Sequence, residues 1–329
     1  MSDPKGLTRN LGLDLVRVTE LVALAMGRWM GLGTRLEADA AAIATMVEAL
    51  NALDMDGTIV IGEEAKSGLH SPLDSGQRIG NGNGPAMDVV VDPVDGTNLL
   101  VQGRSGAISV VGVAPRGSMW SVAPAAYMEK LVVDREVADA LVPECLDAPA
   151  AWTLALIARV KRKQLRDLVV FVLDRPRHAD LIEEIRSAGA RVALRADGDI
   201  AGAIQAALPG SNVDVLMGVG GVSEGVTAAC AVRALRGAML VRLAPQSPEE
   251  RQAVATAGLD TRRILTCREL VQSDEVFFAA TGITGGPLLD GVQYHGNLAE
   301  AHSLVLRGAT GTRRFIRAEY LLDAQPGWK

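Results

Sequence analysis

VVVDPVDGTNLL, Val89 to Leu100, carries an unbroken apolar stretch straight into two aspartates, a glycine and a threonine. Three consecutive valines leave neither face of a strand for water, so the strand they form must be covered on both sides. Such a strand ordinarily ends in a plain turn, whereas this one ends in groups that bind ligands. Pro93 fixes the backbone after Asp92, which lets the carboxylates of Asp92 and Asp95 face one point instead of alternating as along a regular strand. Gly96 permits close backbone approach, the amides of Gly96 and Thr97 can open a helix and receive a phosphate, and Thr97 adds a hydroxyl. A lone aspartate at a strand end is ordinarily a turn former or a helix cap. In this hexapeptide Pro, Gly and Thr each stand where metal and phosphate chemistry needs them.

The chain around this stretch has 329 residues, 48 % of them hydrophobic but only 3 % aromatic. Ala, Val, Leu and Gly must therefore build the core, which suits tight helix-on-sheet packing in an α/β protein. A net charge of −6 argues against a nucleic-acid partner, which calls for a basic face. Cys145, Cys230 and Cys267 are too few and too scattered for a disulfide frame or a zinc knuckle, and are expected as reduced, buried thiols. The N-terminus has no apolar leader and no apolar run reaches the ~18 residues of a membrane span, so a cytoplasmic, soluble protein is expected.

Outward from the stretch, Leu15, Val18, Val22, Ala25 and Trp29 share one face of a helix, and a second helix is expected from near Asp39 through Ile43, Met46, Val47, Leu50 and Leu53. TIVIGE reads as a buried strand ending in Glu63, and AMDVVVD, AISVVGVAP, MWSVAP and YMEKLVV read as further strands, with PRGS as a hairpin turn. Beyond a helix near AAWTLALIARVKRK the pattern becomes regular: LVVFVLD, RVALRAD and VDVLMGVG each lead into a helical segment. That alternation predicts crossover units with ligands at the carboxyl ends of the strands. The predicted division is into two lobes, residues 1–166 and 167–329.

Acids stand where apolar elements stop in four separate places: Asp39 in LEAD, Glu63 in IVIGE, Asp92 with Asp95, and Glu224 in GGVSEG. All-oxygen ligands suit Mg²⁺ or Mn²⁺ rather than zinc. Two such ions ~4 Å apart could activate a water and neutralise a departing ester oxygen.

DPVDGT resembles the metal motif of the lithium-sensitive sugar and inositol phosphatases. RVTE, DGTIVIGE, DPVDGT, YMEK, RPRH, DGD, GGVSEGV, LAP and VFFAATGIT, in that order, narrow the resemblance to the class II (GlpX-type) fructose-1,6-bisphosphatases. The resemblance implies the layered αβαβα sugar-phosphatase fold in two lobes, with the active site in the cleft between them. It implies hydrolysis of fructose 1,6-bisphosphate to fructose 6-phosphate and phosphate, a step of gluconeogenesis, in a homodimer or homotetramer. Residue by residue, it implies that Asp39 and Glu63 hold one metal, and that Asp92, Asp95 and Glu224 hold the second. Gly96 and Thr97 would meet the phosphate to be removed, and Thr97, oriented by a neighbouring acid, would help position and deprotonate the water. Tyr127, Arg175, Arg177, Asp197, Asp199 and Gly221 would hold the sugar and its other phosphate; arginine forks suit a phosphate that stays on the substrate.

The match departs from the family between Arg35 and Gln77. Arg35 stands where relatives have a lysine, and after Glu63 come Glu64, Ala65 and HSPLDSGQ instead of a Gly-Glu pair and a Pro-Met-Leu-Tyr core. An acid near the metals is therefore displaced or lost and a tyrosine is missing. The divergence leaves two alternatives: a phosphatase of another sugar bisphosphate, such as sedoheptulose 1,7-bisphosphate, and a non-catalytic sugar-phosphate-binding relative.

Overall fold

The computed structural model describes residues 11–62, 64 and 70–324. The three valines lie in β3 (Ala86–Asp95), which pairs in parallel with β1 (Asp56–Ile61) and antiparallel with β4 (Ile108–Pro115). Val89 and Val91 enter one apolar core and Val90 another, as the period of two requires of a strand covered on both faces. The sheet has eight strands, adding β2 (Arg78–Ile79), β11 (Phe277–Gly282), β12 (Gln293–His295), β13 (Leu298–Arg307) and β14 (Thr312–Leu321). Its order is β12-β13-β11-β4-β3-β1-β2, and β14 pairs with β13.

A second sheet contains β5 (Tyr127–Val133), β6 (Val169–Leu173), β7 (Arg191–Arg195), β8 (Val215–Gly221), β9 (Ala238–Leu243) and β10 (Leu265–Thr266), in the order β10-β9-β5-β8-β6-β7. β6 runs parallel to both β7 and β8, which is the crossover arrangement the alternating segments predict.

Helices fill three layers around the sheets. α1 (Leu11–Gly27) and α2 (Arg35–Asn51) cover the outer face of the first sheet. A short α3 (Thr97–Val101) follows β3, and α4 (Glu144–Asp147) leads to α5 (Ala150–Lys161), which with α6 (Ala179–Ser187) covers the outer face of the second sheet. Between the sheets lie α7 (Asp199–Ala207) and α8 (Val222–Ala234). α9 (Pro248–Thr256) and α10 (Cys267–Leu270) complete the set. The result is the αβαβα layering. The middle layer explains the shortage of aromatics: all nine residues of α7 are buried, and Ala228, Ala229, Cys230 and Ala231 let α8 sit close to both sheets.

Three expectations change. The two sheets do not divide at residue 166: β5 belongs to the second sheet, and the chain returns to the first sheet over β11 to β14. The reason is that β4 has an edge to satisfy, and β11 pairs along it from Phe277↔Val113 to Gly282↔Ile108. MWSVAP forms no strand beyond a single bridge, Met119↔Val271, so PRGS does not close a hairpin; Pro124 has no N–H to extend a ladder. Finally, α2 begins four residues before Asp39, which places that acid inside the helix, and Trp29 lies past the end of α1.

The RVTE motif has a structural use. Thr19 hydrogen-bonds Thr281 (2.7 Å), Thr281 bonds Ser303 (2.9 Å), and Ser303 donates to Glu20 Oε1 (3.0 Å), while the Tyr320 hydroxyl donates to Glu20 Oε2. This chain ties α1 to β11, β13 and β14, and burial raises the Glu20 pKa. All three cysteines are free and buried, as expected, with the Cys267 thiol pushed up to about 12 by burial. Among the described residues no helix is long and apolar enough to cross a membrane.

Candidate active site

Asp92 and Asp95 are three positions apart, which on a regular strand would send them to opposite faces. Asp92 pairs with Val110 and Asp95 with Ile108, so β3 spends three steps where β4 spends two and bulges at Pro93–Val94. The extra residue reverses the parity and brings both acids to one side. The Val94 N–H donates to Asp92 Oδ1 at 3.0 Å and holds the bulge. Gly96, at φ +91°, then makes the left-handed turn into α3. The Thr97 hydroxyl donates to the Val94 carbonyl at 3.2 Å, so its orienting partner is a backbone carbonyl and not an acid.

The second sheet supplies the opposite wall of a cavity of about 300 Å³. Asp92, Asp95, Gly96 and Thr97 face Tyr127, Arg175, Arg177, Asp197, Asp199, Gly221 and Glu224 across it. Every predicted site residue that is described lines this space except Asp39. Arg177 donates Nε and Nη2 to the Val219 carbonyl (3.2 and 2.9 Å), its guanidinium lies 5.4 Å from the centre of the Tyr127 ring, and burial lowers its pKa. His178 supports the same peptide: it takes the Val219 N–H on Nε2 (2.8 Å) and donates Nδ1–H to the Leu173 carbonyl (2.7 Å).

Arg175 bonds Asp197 at 3.3 Å, Asp197 accepts from Asn98 Nδ2 at 3.1 Å, and Asn98 Oδ1 accepts from Arg35 at 3.0 Å. Arg35 also meets Asp39 at 3.5 Å. This chain of contacts crosses the cavity, and sequence reasoning missed Asn98 in it, although Asn98 stands next to Thr97. Lys130 was missed as well. It is buried on β5 and ion-paired with Asp199, so that carboxylate is already engaged within the cavity wall. Gly220 makes room for the pair, since a Cβ there would strike both side chains.

Asp95 combines two readings of its residue type. Its Oδ2 accepts the Ala201 N–H at 3.1 Å and so caps the first turn of α7. Burial first, and then the negative charge of Asp199, raise its pKa well above the usual carboxylate range.

A second cleft of about 230 Å³ adjoins the first and shares Asp92, Val94 and Thr97 with it. Asp39 lines this cleft, together with Glu64, His70 and Asp74 from the divergent segment. Glu63 lies outside the described residues. Two acids of the divergent segment stand in this wall: Asp74 is buried and bonded to His70 at 2.8 Å, and Glu64 accepts the Ser75 N–H at 3.2 Å while its Oε2 is buried without a partner among the described residues. Among the described residues no three potential ligands close into a ready-made cage. Each of Asp92, Asp95 and Glu224 spends an oxygen on Val94, Ala201 or Ser223 respectively. The donor set is nonetheless all hard oxygen, and burial and then the negative charges of Asp199, Asp197 and Glu224 raise the Asp95 pKa, so this end of the cavity is short of positive charge and its residues fit a divalent cation.

A family model described as "Bacterial fructose-1,6-bisphosphatase, glpX-encoded" matches residues 9–320. The fructose-1,6-bisphosphatase class 2 of Haemophilus influenzae is 39% identical over 96% of this chain and 98% of its own. Fructose-1,6-bisphosphatase 1 class 2 of Escherichia coli K12 is 37% identical over 96% of this chain and 97% of its own. With the acids of the DPVDGT bulge facing the arginines of the second sheet, and a match along nearly the whole length, the chain belongs to the GlpX-type class II fructose-1,6-bisphosphatase family.

Proposed function

We propose that the chain is a metal-dependent phosphoric monoester hydrolase that removes the 1-phosphate of fructose 1,6-bisphosphate. The observation that carries this reading is the meeting of two clefts at Asp92, Val94 and Thr97, acidic on one side and arginine-bearing on the other. The acids Asp39, Asp92, Asp95 and Glu224, with Glu63, would hold Mg²⁺ or Mn²⁺. Bound there, such a cation supplies Lewis-acid polarisation of the phosphoryl oxygens and makes water a stronger nucleophile.

The chain's own groups do the positioning. The Thr97 proton is committed to Val94, which leaves the hydroxyl's lone pairs to accept from the attacking water and aim it. The amides of Gly96 and Thr97 meet the phosphate under attack. Arg177, locked on Val219, keeps its remaining N–H groups for the phosphate that stays. No side chain takes the phosphoryl group, and the sugar leaves in one step.

A second reading rests on Glu64, His70 and Asp74, which wall the cleft beside Asp92 and Thr97: a preference for another sugar bisphosphate, with weaker turnover of the fructose ester. Phosphate release from fructose 1,6-bisphosphate, sedoheptulose 1,7-bisphosphate and inositol phosphate, with and without chelator, tests both. Fructose 1,6-bisphosphate turned over efficiently removes the second reading, and inositol phosphate as the preferred substrate removes both. We further infer a cytoplasmic homodimer or homotetramer, which sedimentation and fractionation would check.

A further inference from the structure

A groove of about 890 Å³ opens at the C-terminal end of α8, the helix whose first turn carries Glu224. Four arginines line it: Arg135 beyond β5, Arg233 in the last turn of α8, Arg236 just past that turn, and Arg268 in α10. Three acids line it as well, Glu136, Asp139 and Asp274, and Asp274 is already held by Arg233 at 2.6 Å. Arg135, Arg236 and Arg268 are exposed, and among the described residues none of them has an ion-pair partner. With Arg233 and Asp274 paired, Arg135, Arg236 and Arg268 stand against the exposed Glu136 and Asp139, so in a chain of net charge −6 the concavity is positive by one charge.

The backbone supplies an independent observation. Arg236 has φ +60°, one of two positive-φ residues other than glycine among the described residues. It closes α8 in the left-handed conformation that glycine adopts freely and that a Cβ disfavours. The guanidinium it carries lies against Gly311 in the β13–β14 turn, whose Gly308 and Ala309 line the groove.

We propose that this groove binds a small polyanion, a molecule bearing two or more phosphate groups, at the opposite end of α8 from Glu224. Guanidinium groups from three separate elements line it, and planar forks of this kind can serve several phosphoryl oxygens at once. The negative C-terminal end of the α8 dipole opposes an anion, and the arginines around it offset that. Because one continuous helix joins the groove to Glu224, a ligand that shifts the end of α8 acts on the cleft acid. The site is independent of which sugar the cleft takes.

Titration calorimetry with inorganic tripolyphosphate in metal-free buffer tests the site, using Arg177→Ala as the parent protein so that the cleft's phosphate grip is weakened. Binding should persist in that parent and weaken at least tenfold when Arg135→Ala and Arg268→Ala are added. Arg236→Gly should separate folding from binding, raising Tm by about 2 °C through relief of the left-handed strain while lowering affinity for tripolyphosphate. Loss of all binding in the Arg177→Ala parent would place the anion in the cleft and overturn the proposal. Undiminished affinity in the Arg135→Ala/Arg268→Ala protein, or in Arg236→Gly, would overturn it equally.

Discussion

The carboxylate of Asp95 accepts the backbone N–H of Ala201 at 3.1 Å, so the acid that ends a strand of the first sheet also caps a helix of the middle layer. Charge and cap can be separated by substitution. Asp95→Asn retains an oxygen for Ala201 and removes a charge crowded by Asp199, so urea unfolding should show unchanged or higher stability. Its kcat should fall about 100-fold or more, since a cation would lose an anionic ligand. Asp95→Ala should lose about 1 kcal/mol of stability as well. Normal turnover in Asp95→Asn would leave this acid a cap and nothing more.

Lys130 and Asp199 form a buried pair beneath the cavity. Lys130→Met leaves Asp199 without its countercharge and next to Asp95, and should cost about 3–5 kcal/mol. Adding Asp199→Leu should recover most of that loss, because two apolar groups need no countercharge. A single substitution costing under about 1 kcal/mol would show that water reaches the pair.

Arg177 is held by the Val219 carbonyl with its fork only partly used. Arg177→Ala should raise KM for a sugar bisphosphate more than it lowers kcat, since it removes a grip on the phosphate that does not react. Arg177→Lys should not restore KM, because an ammonium cannot bind Val219 and a phosphate in the same plane. An unchanged KM in steady-state assays would remove Arg177 from the site.

Burial lowers the His178 pKa below its ordinary 6.5. The unfolded chain therefore takes up a proton at a higher pH than the folded one. The stability His178 contributes is complete above pH 6.5 and is lost as pH falls from there through the lower folded value. Thermal melts from pH 7.5 to about 5.5 should show Tm falling, and His178→Gln should be less stable at pH 7.5 yet show a shallower fall. Equal slopes for the two proteins would assign the acid sensitivity to other groups.

Much of this architecture can be read along the chain because it rests on local pattern. Three valines require two covered faces, and Pro93 followed by Gly96 announces a turn that gathers acids. The crossover strands β6, β7 and β8 are legible for the same reason. Contacts between distant segments leave no such trace. Lys130 alternates in YMEKLVV like any strand residue, and only the approach of α7 shows that it is buried against Asp199. The Arg35–Asn98–Asp197 chain joins three segments that no periodicity connects. The return of β11 to β4 is hidden because an apolar run carries no mark of which edge it will join.

That return has a consequence during synthesis. β11 sits in the interior of the first sheet, between β4 and β13, yet it begins at residue 277 of 329. While the ribosome makes the preceding residues, the strands already released have β4 as a bare edge of valines, with nothing native to lay beside it. The helices behind it can pack, but the sheet cannot close until β11 to β14 have been made, which is the long-range pairing that slows assembly. A chain ended at Val276 should collect in the insoluble fraction on expression, and supplying residues 275–324 as a separate polypeptide in the same cell should bring part of it back into solution.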